Sequence, residues 1–459
     1  MKQLFYICLS VVFIAACSQS GKVETIDTGK TADWNTTGSV TLDSEGMKLL
    51  GSDASACTKV PVKNFELELE CLTSDHAIGA IYFHSGGANK GNTGYEVLIN
   101  NNESPAEWRK TGSLSTVRNF AVRTAENNTW VPVKIEVSGK QIRIWVNGVF
   151  VTDYTEPGKP YREPANAGRV LSKGVFVLAN LSDTPIEFRN VRLKKLPDDG
   201  VSQSEAIDEQ TDEIIRLQQQ NFPVIDCHLH LKGGWTKEQA AERSRKYGIT
   251  YGIAPNCGKN FPITDDAGSY AWIDSMKHQP FLLPMQAEGR EWLDMFSRKA
   301  MDAFDYRFTD AMTWTDHKGR RMRIWILEET FVDDKQQFMD MLVERACGII
   351  SNEPIHIYVN PTFIPEQMMP EYDALWTSER MQKIIDACVK SNVAIEINNR
   401  YRIPSETFIK MAKKSGAKFT FGTNNTSTED VGKLEYSIEM IKACGLIPED
   451  LLIPYSKNI

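Results

Sequence analysis

The chain has 459 residues, of which 41% are hydrophobic and 24% charged, with a formal net charge of −8 at pH 7. This length is ample for two domains with separate cores. Positive and negative residues are interspersed, which excludes the basic footprint of a nucleic-acid-binding protein. Nine cysteines are scattered without Cys-x-x-Cys pairs, which argues against a disulfide framework and a structural zinc knuckle.

The N-terminus is typical of a targeting segment. A positively charged start precedes an apolar run at 4–16 that is too short for a stable membrane anchor. The run ends in "IAAC" at 14–17, which resembles a bacterial lipobox and thereby implies lipidation of Cys17. The alternative is an ordinary secretory peptide. Ser18 favours the outer membrane, so we expect a lipid-anchored protein of the cell envelope.

Residues 33–196, after a tether at 17–32, predict an all-β domain. The segment 131–154 alternates apolar and polar residues with a period of two, interrupted by Asn147-Gly148. Asn-Gly favours a type I′ hairpin turn because both residues tolerate a positive φ. Similar short runs recur and no helical period persists, which predicts a two-sheet sandwich of jelly-roll type. Cys57 and Cys71 could pair there, although buried free cysteine is common.

The segments "GAIYFHSGG", "GYEVLINNN", "RKTGSL", "VKIEVSGKQIRIWVNG" and "IEFRNVRLKKL" follow in this order. Their sequence and spacing resemble the 3-keto-disaccharide hydrolase-like domains, which have a laminin-G or concanavalin-like fold. The resemblance implies a concave carbohydrate-facing surface and, in some members, cleavage of 3-keto-glycosides.

On that surface we expect a set of aromatic, acidic and basic side chains that suit sugar stacking, hydrogen bonding to hydroxyls or acid–base chemistry. The candidates are Tyr82, His84, Glu96, Trp108 and Lys110. The alternative is that they are ordinary strand residues, and a binding module or a scaffold fits the domain as well as an enzyme.

Residues 197–213 are polar and acidic, as in a linker. From 214 to 459 the pattern changes to alternating strands and amphipathic helices, which predicts an α/β domain with a TIM-like (βα) barrel. Strand-like runs lie at 223–229, 249–254, 280–286, 354–359, 392–397 and 417–422. The segment 311–326 alternates around a turn and predicts an inserted hairpin.

The first barrel strand ends in "VIDCHLHLKGG" at 224–234. A period of two places Asp226, His228 and His230 on one side of the strand, at the end where barrel enzymes carry their functional groups. Such a group is a plausible cradle for a divalent Zn, Mn or Fe ion. The alternative is a strand end that carries structural histidines.

Later strand ends supply further candidates: Glu288, His356, Glu396 and Asn398. For each of them taken alone, a surface or capping role is the alternative. His317 and His278 are interpreted as structural, since the first lies in the hairpin turn and the second beside a helix end.

These strand ends, together with "AKKSGAKFTFGTNNTSTEDVGKLEYSIEMIKACGL", resemble the polymerase-and-histidinol-phosphatase (PHP) family of metal-dependent hydrolases, related to the amidohydrolases. The resemblance implies metal ligands at the positions of Asp226, His228, His230, Glu288, His356 and Glu396. The chain departs from the family at Asn424 and Thr426, where aspartate and histidine are usual. Asparagine cannot act as a base, so we expect one ion on His228 and His230, helped by Glu288 or His356.

Together the two resemblances imply a metal-dependent hydrolase or lyase acting on glycosides, including those of 3-keto-sugars, with the sandwich supplying recognition or a second active site. Metal-assisted hydrolysis of an ester or phosphate ester is the alternative reaction. Glu288 or Glu396 would remove the proton next to the ketone, Asp226 would assist, and Asn398 and Asn424 would bind substrate. The alternative is a glycan-binding lipoprotein of the cell envelope with a degenerate barrel site. The expected partners are a carbohydrate and the lipid anchor, without nucleic acid.

Overall fold

The computed structural model describes residues 23–26, 30–87, 93–104 and 107–457. The predicted signal segment and Cys17 lie outside these ranges. Within them, no helix combines the length and apolar character needed to cross a membrane. The described chain forms an antiparallel β-sandwich followed by a parallel βα barrel, which confirms the predicted fold class.

Eleven of the described strands build the sandwich. They are β1 (Val23–Thr25), β2 (Trp34–Leu42), β3 (Met47–Thr58), β4 (Phe65–Thr73), β5 (Gly79–Ser85), β6 (Tyr95–Ile99), β7 (Trp130–Ser138), β8 (Gln141–Val146), β9 (Val149–Thr155), β10 (Val175–Asn180) and β11 (Ile186–Lys195). Their order is β6-β5-β10-β3-β11-β4-β7-β8-β9, with β1 beside β11 and β2 beside β3. β3 belongs to both layers, since its first half pairs with β11 and its second half with β10.

Aromatic side chains join the two layers. Phe65 of β4 packs edge-on against Phe83 of β5, with ring centroids 5.5 Å apart, and against Phe176 of β10 at 4.6 Å. The predicted hairpin turn is confirmed, because Asn147 and Gly148 have φ of 50° and 78° between β8 and β9. Period-two alternation therefore buries one face of each strand in a shared core.

The barrel strands are β12 (Ile225–Leu229), β13 (Thr250–Ile253), β14 (Asn256–Gly258), β15 (Phe281–Leu282), β16 (Met285–Glu288), β17 (Arg307–Thr309), β20 (Ile357–Tyr358), β21 (Ala394–Asn398) and β22 (Phe419–Gly422), with the hairpin β18 (Thr313–Thr315) and β19 (Arg321–Arg323) inserted between β17 and β20. β13 and β14 are halves of one bent strand, as are β15 and β16. Because β22 pairs with β12, seven parallel strands close into a ring. A TIM barrel has eight.

Ten helices lie within the described part of this half. They are α1 (Glu213–Gln219), α2 (Lys237–Tyr247), α3 (Asp266–Met276), α4 (Trp292–Met295), α5 (Arg298–Ala303), α6 (Lys335–Asn352), α7 (Tyr372–Leu375), α8 (Ser378–Ser391), α9 (Glu406–Lys414) and α10 (Glu435–Cys444). Polar side chains cap the start of α8 and α9, where Thr377 and Ser405 accept hydrogen bonds from the helix backbone.

The predicted linker, residues 197–213, packs against the sandwich. It lies along the sandwich, where Asn64 donates a hydrogen bond to the carbonyl of Pro197 at 2.6 Å and Lys140 donates its backbone N–H to Ser202. Glu209 is completely buried there. The reason is that polar side chains and backbone of this segment find partners on the sandwich edge, which composition alone does not indicate.

The two domains also pack on each other. The Asn119 amide donates to the carbonyl of Gln218 in α1 at 3.0 Å, and Arg118 donates to the carbonyl of Lys246 at 2.8 Å. One apolar cluster contains both Phe120 of the sandwich and Cys227 of the barrel. All seven cysteines in the described ranges, Cys57 and Cys71 among them, have free thiols.

Candidate active site at the barrel mouth

The barrel mouth is the end of the ring where the carboxyl ends of the parallel strands meet. Asp226 on β12 connects the first strand to the last. One carboxylate oxygen accepts the backbone N–H of Thr423 at 3.0 Å, and the other accepts the Thr423 hydroxyl. Burial raises the pKa of Asp226, while these hydrogen bonds oppose the rise. Asp226 thus connects β12 to the residue that follows β22, and its predicted catalytic role stays a prediction.

His228 points its ring at Glu396 of β21. The Nδ1 atom lies 2.6 Å from a Glu396 oxygen, and both side chains are 1% exposed. The other Glu396 oxygen accepts the backbone N–H of Asn360 at 2.8 Å and the Asn398 amide at 3.0 Å. Both oxygens of Glu396 are thus hydrogen-bonded, and the side chain orients His228.

The approach of Glu396 to β22 requires a glycine. A Cβ atom at Gly422 would lie 2.0 Å from the Glu396 carboxylate oxygen and 2.9 Å from the Cβ of His228. Gly422 thus lets the carboxylate reach the imidazole across the ring of strands.

The Nε2 atom of His228 is buried and has no hydrogen-bond partner among the described residues. His230 lies beside it, with ring centroids 5.2 Å apart. The Nδ1 of His230 is 2.8 Å from the carbonyl oxygen of Ala254, so this nitrogen carries the proton and Nε2 is left as an acceptor. Burial lowers the pKa of His230 well below its usual value.

A pair of buried carboxyl groups completes the mouth. Glu288 of β16 accepts a hydrogen bond from the Asn256 amide at 2.6 Å, and Asp310 after β17 accepts one from the Asn360 amide at 2.9 Å. Burial, reinforced by the charge of Asp310, raises the pKa of Glu288 to about 8. Burial also raises the pKa of Asp310. Two such neighbours cannot both be ionised without a large electrostatic cost.

Amides line the wall next to these carboxyls. Asn398 and Asn424 both donate to the side-chain oxygen of Asn360, at 3.0 and 3.2 Å. Asn398 is completely buried, whereas Asn424 is partly exposed. Of the two predicted substrate contacts, only Asn424 has surface left for a substrate.

His356 lies at the opposite end of the barrel. It precedes β20, and its Nδ1 accepts the backbone N–H of Arg307 at the start of β17 at 3.0 Å. Burial lowers the pKa of His356 to about 4. The strand begins after it, so the structure places His356 at the amino end of the ring and does not bring it together with the other predicted metal ligands.

Across the part of the chain that the structure describes, no three or more His, Cys, Asp or Glu side chains are grouped so that they could hold a metal ion. Two imidazoles, each anchored through Nδ1, are what the mouth offers. This arrangement resembles the outer-sphere support of metal-bound histidines, but it falls short of the larger ligand set implied by the family resemblance.

Several mouth residues were missed from the sequence: Asn256, Asp310, Thr423 and Asn425. Asp310 follows a strand of only three residues, too short for a recognisable alternation. Asn425 accepts the backbone N–H of His230 at 2.8 Å. In the run "GTNN", the Thr423 hydroxyl donates to Asp226 and the Asn425 amide donates to the carbonyl of His230.

In the sandwich, two of the five candidates come together. Tyr82 on β5 and Glu96 on β6 are neighbours, and Glu96 pairs with Arg169 at 2.9 Å. Burial, then the charge of Glu96, raises the pKa of Tyr82. Although burial raises it, the Arg169 guanidinium holds the pKa of Glu96 below its usual value. Arg169 was not predicted, because it lies far along the chain.

The other three sandwich candidates are committed elsewhere. Both ring nitrogens of His84 contact backbone, with Nε2 2.8 Å from the carbonyl of Lys63. Trp108 is buried in the core, and Lys110 donates to the carbonyl of Asn102 at 2.6 Å. Burial lowers the pKa of Lys110 to about 8. All three side chains support the fold of the sandwich, and their contact with a sugar stays a prediction.

Residues 22–194 match the family described as the 3-keto-alpha-glucoside-1,2-lyase-like domain. No curated protein matches the chain. Similar solved structures include a candidate glycosyl hydrolase from Parabacteroides distasonis (14% identity, 38% of this chain and 94% of the other, TM-score 0.34). A carbohydrate-binding module from Bacillus subtilis is 20% identical over 36% of this chain and 96% of its own, with a TM-score of 0.28.

The family match covers the sandwich, which is therefore a 3-keto-disaccharide hydrolase-like domain, as the sequence predicted. The resemblance of the barrel to the PHP family stays a prediction.

Proposed function

We propose that this protein cleaves the glycosidic bond of 3-keto-glycosides, with acid–base chemistry at the barrel mouth and sugar recognition on the sandwich. One observation carries the proposal: His228, oriented by Glu396, and the buried carboxyl pair of Glu288 and Asp310 share the barrel mouth. They do so on a chain whose first domain matches a 3-keto-glucoside lyase-like family.

The substrate explains why a base and an acid would suffice. In a 3-keto-glycoside the proton on C2 lies next to the ketone and is acidic. Removal of this proton leaves an electron pair that forms the C1–C2 double bond as the C1–oxygen bond breaks. Water then adds across C1–C2, and the net result is glycoside cleavage without an activated nucleophile.

His228 is the base in this scheme. Its Nδ1 proton is directed at the Glu396 carboxylate at 2.6 Å, so Nε2 can accept the C2 proton while Glu396 stabilises the imidazolium that forms. In other imidazole–carboxylate pairs, too, the imidazole transfers the proton and the carboxylate orients and stabilises the imidazole. Glu396 is thus a positioning residue, and Gly422 allows it to reach the ring.

Glu288 is the acid. With its pKa raised to about 8 by burial and by Asp310, its carboxyl carries a proton at neutral pH and can give it to the departing oxygen. Asn256 holds one oxygen at 2.6 Å and leaves the other for the substrate.

The sandwich contributes recognition through Tyr82, Glu96 and Arg169. The Glu96–Arg169 pair is nearly buried, with side-chain exposures of 12% and 10%. A fixed carboxylate and guanidinium beside a phenol offer acceptors and donors for sugar hydroxyls. The alternative is that this face of the sandwich is a second active site.

The barrel mouth offers two imidazole ligands to a divalent ion. His228 and His230 are the residues that would hold it, each through Nε2, because each Nδ1 is already engaged. Bound there, an ion would polarise the ketone of the substrate. It would also occupy the Nε2 atom that otherwise takes the proton.

Turnover of a chromogenic 3-keto-glucoside tests the proposal. We expect release of the aglycone by the wild type and a loss of about 100-fold or more in kcat for His228→Gln and for Glu288→Gln, since each removes one proton-transfer group. Glu96→Gln should mainly raise KM. The exposed Glu366→Gln is the matched control and should be unchanged. Full activity in both barrel variants would show that the barrel mouth is not the active site and would assign catalysis to the sandwich.

The metal content of the purified protein distinguishes proton transfer by His228 from metal binding by His228 and His230. We expect less than one tightly held Zn, Mn or Fe ion per chain in the purified protein, because two imidazoles alone bind weakly. His228→Ala/His230→Ala should then not change the metal content. One or more ions per chain, lost in the double variant, would instead establish the metal-dependent mechanism.

A second candidate is a glycan-binding lipoprotein without turnover. The amide of Asn424, in place of the family's aspartate, favours it, because this side chain donates to Asn360 and cannot act as a base. Binding of a 3-keto-glucoside without aglycone release would support it. In either case we propose a lipid anchor at Cys17, with the domains in the cell envelope.

A further inference from the structure

The proposed cleavage leaves one reacting atom without a protein contact. Removal of the C2 proton places negative charge on the ketone oxygen at C3 until the C1–oxygen bond breaks. In the proposed scheme His228 takes the proton and Glu288 serves the departing oxygen, so neither of them stabilises this charge. A hydrogen-bond donor that is fixed beside the ketone oxygen would lower the barrier.

Tyr401 lies beside the amides that line the barrel mouth. It follows β21, and its backbone N–H donates to the side-chain oxygen of Asn398 at 2.9 Å. The Asn398 amide donates in turn to the side-chain oxygen of Asn360 at 3.0 Å, and the Asn360 amide donates to Asp310 at 2.9 Å. This chain of hydrogen bonds places Tyr401 on the side of the mouth that carries Asp310.

Two neighbours hold the Tyr401 ring. Phe363 packs edge-on against it, with ring centroids 4.8 Å apart and ring planes at 64°. Phe363 is itself tied to the mouth, because its backbone N–H donates to the carbonyl of Asn360 at 3.1 Å. The Arg400 guanidinium lies 4.8 Å from the centroid of the Tyr401 ring. Aromatic and cation–π contacts of this kind fix the ring and therefore also its hydroxyl.

The Tyr401 side chain is half-buried, and its hydroxyl is free for a ligand. The hydroxyl makes no hydrogen bond within the described ranges, yet it is not among the enclosed polar atoms that lack a partner there. Burial raises the pKa of Tyr401, and the Arg400 guanidinium opposes the rise. The charges of Asp310 and Glu396 add to it, so the phenol lies close to both carboxyl groups. It therefore keeps its proton at neutral pH and is a donor beside the reacting groups.

Lys232 is an alternative donor at the mouth. It follows His230, and its backbone N–H donates to the carbonyl of His230 at 2.9 Å. Its side chain is exposed and carries its charge on a flexible stem. A donor that is already fixed stabilises developing charge better than a mobile one, because it needs no reorganisation at the moment of reaction. Tyr401 therefore suits the ketone oxygen better than Lys232.

We infer that the barrel mouth has a subsite for the keto-sugar ring, in which the Tyr401 hydroxyl donates to the ketone oxygen at C3 and Phe363 lies against the sugar ring. Because the ligand is a 3-keto-sugar, this subsite rests on the proposed function. As the C2 proton moves to His228, the Tyr401 hydroxyl keeps its own proton and stabilises the enolate oxygen. The electron pair then forms the C1–C2 double bond, and Glu288 protonates the departing oxygen.

Tyr401→Phe tests this role, because it removes the hydroxyl and keeps the ring. With a chromogenic 3-keto-glucoside we expect a loss of about 100-fold in kcat that exceeds any rise in KM, since the full charge on the oxygen exists only after the ground state. Exchange of the C2 proton with deuterated water, followed by NMR, should slow by a similar factor because this exchange passes through the same enolate.

Two further variants serve as comparisons. Phe363→Leu keeps an apolar side chain without an aromatic face and should mainly raise KM. Tyr270→Phe removes the hydroxyl of an exposed tyrosine on α3, outside the ring of strands, and should behave like the wild type.

Failure of the subsite and failure of the proposed function give different results. Cleavage or C2 exchange that Tyr401→Phe retains in full would overturn the subsite and leave the proposed function intact. If the wild type shows neither reaction, calorimetry with the 3-keto-glucoside and its parent glucoside decides. A preference for the ketone that is lost in Tyr401→Phe supports the subsite. Equal binding of the two sugars, or no binding up to about 10 mM, would overturn it.

Discussion

Replacing Glu209 with alanine is expected to lower the free energy of unfolding by about 3–5 kcal/mol. Glu209 is completely buried, and its two oxygens face Arg118 at 3.5 Å and Arg162 at 2.8 Å. The side chains of both arginines are at most 4% exposed. Removal of the carboxylate leaves two buried guanidinium groups without their shared counter-ion. This is far more costly than the loss of a surface pair.

The location of Glu209 adds to the effect. Arg118 also donates to the carbonyl of Lys246, so the cluster connects sandwich, linker and barrel. Denaturant unfolding of the variant measures the loss. Glu205→Ala, an exposed carboxylate four residues earlier, is the control and should stay within about 0.5 kcal/mol of the wild type. A cost for Glu209→Ala below about 1 kcal/mol would mean that the cluster does not form.

The linker shows why composition misleads. Residues 197–213 are polar and acidic, which is typical of a flexible connection. One of these acids, however, finds two arginines from distant parts of the chain, 91 and 47 residues away. Nothing in a local window reports such partners. The polar segment therefore packs against the domains that it connects.

The sandwich and most of the barrel could be predicted because period-two alternation and turn residues are local signals. Asn147-Gly148 is an example, since the dipeptide itself tolerates the positive φ of the turn. The short strand β17 was not predicted, because three residues cannot display a period. Asp310, which follows this strand, was missed for the same reason. The sequence therefore predicts the functional residues on β12 but not the one that follows β17.

His356 shows a further limit. Alternation tells which face of a strand a residue lies on, but not where the strand begins. In "PIHIYVNP" the strand is only Ile357–Tyr358, so the histidine precedes it and the functional position after it belongs to Asn360. The same ambiguity does not affect His228, because β12 continues for five residues on which the motif can be placed.

Glu288→Gln is expected to stabilise the protein at neutral pH while it lowers kcat by about 100-fold or more. The pKa of Glu288 is raised to about 8 from an ordinary 4.5. Between these values the folded chain holds a proton that the unfolded chain releases, so the wild type loses stability as pH rises through this window. Glutamine does not titrate and can still accept the Asn256 hydrogen bond. The variant should therefore gain on the order of 2–3 kcal/mol at pH 7.

Unfolding measured from about pH 4.5 to 8.5 checks the sign. The advantage of Glu288→Gln should be near zero at the acid end and grow with pH, and Glu366→Gln, at an exposed carboxylate, should show no such trend. Activity of the wild type should fall as pH rises through about 8, since the acid then loses its proton. A variant that is less stable at every pH would mean that Glu288 is ionised and bound by a cation. That outcome would favour the metal-dependent mechanism over the proton-transfer scheme.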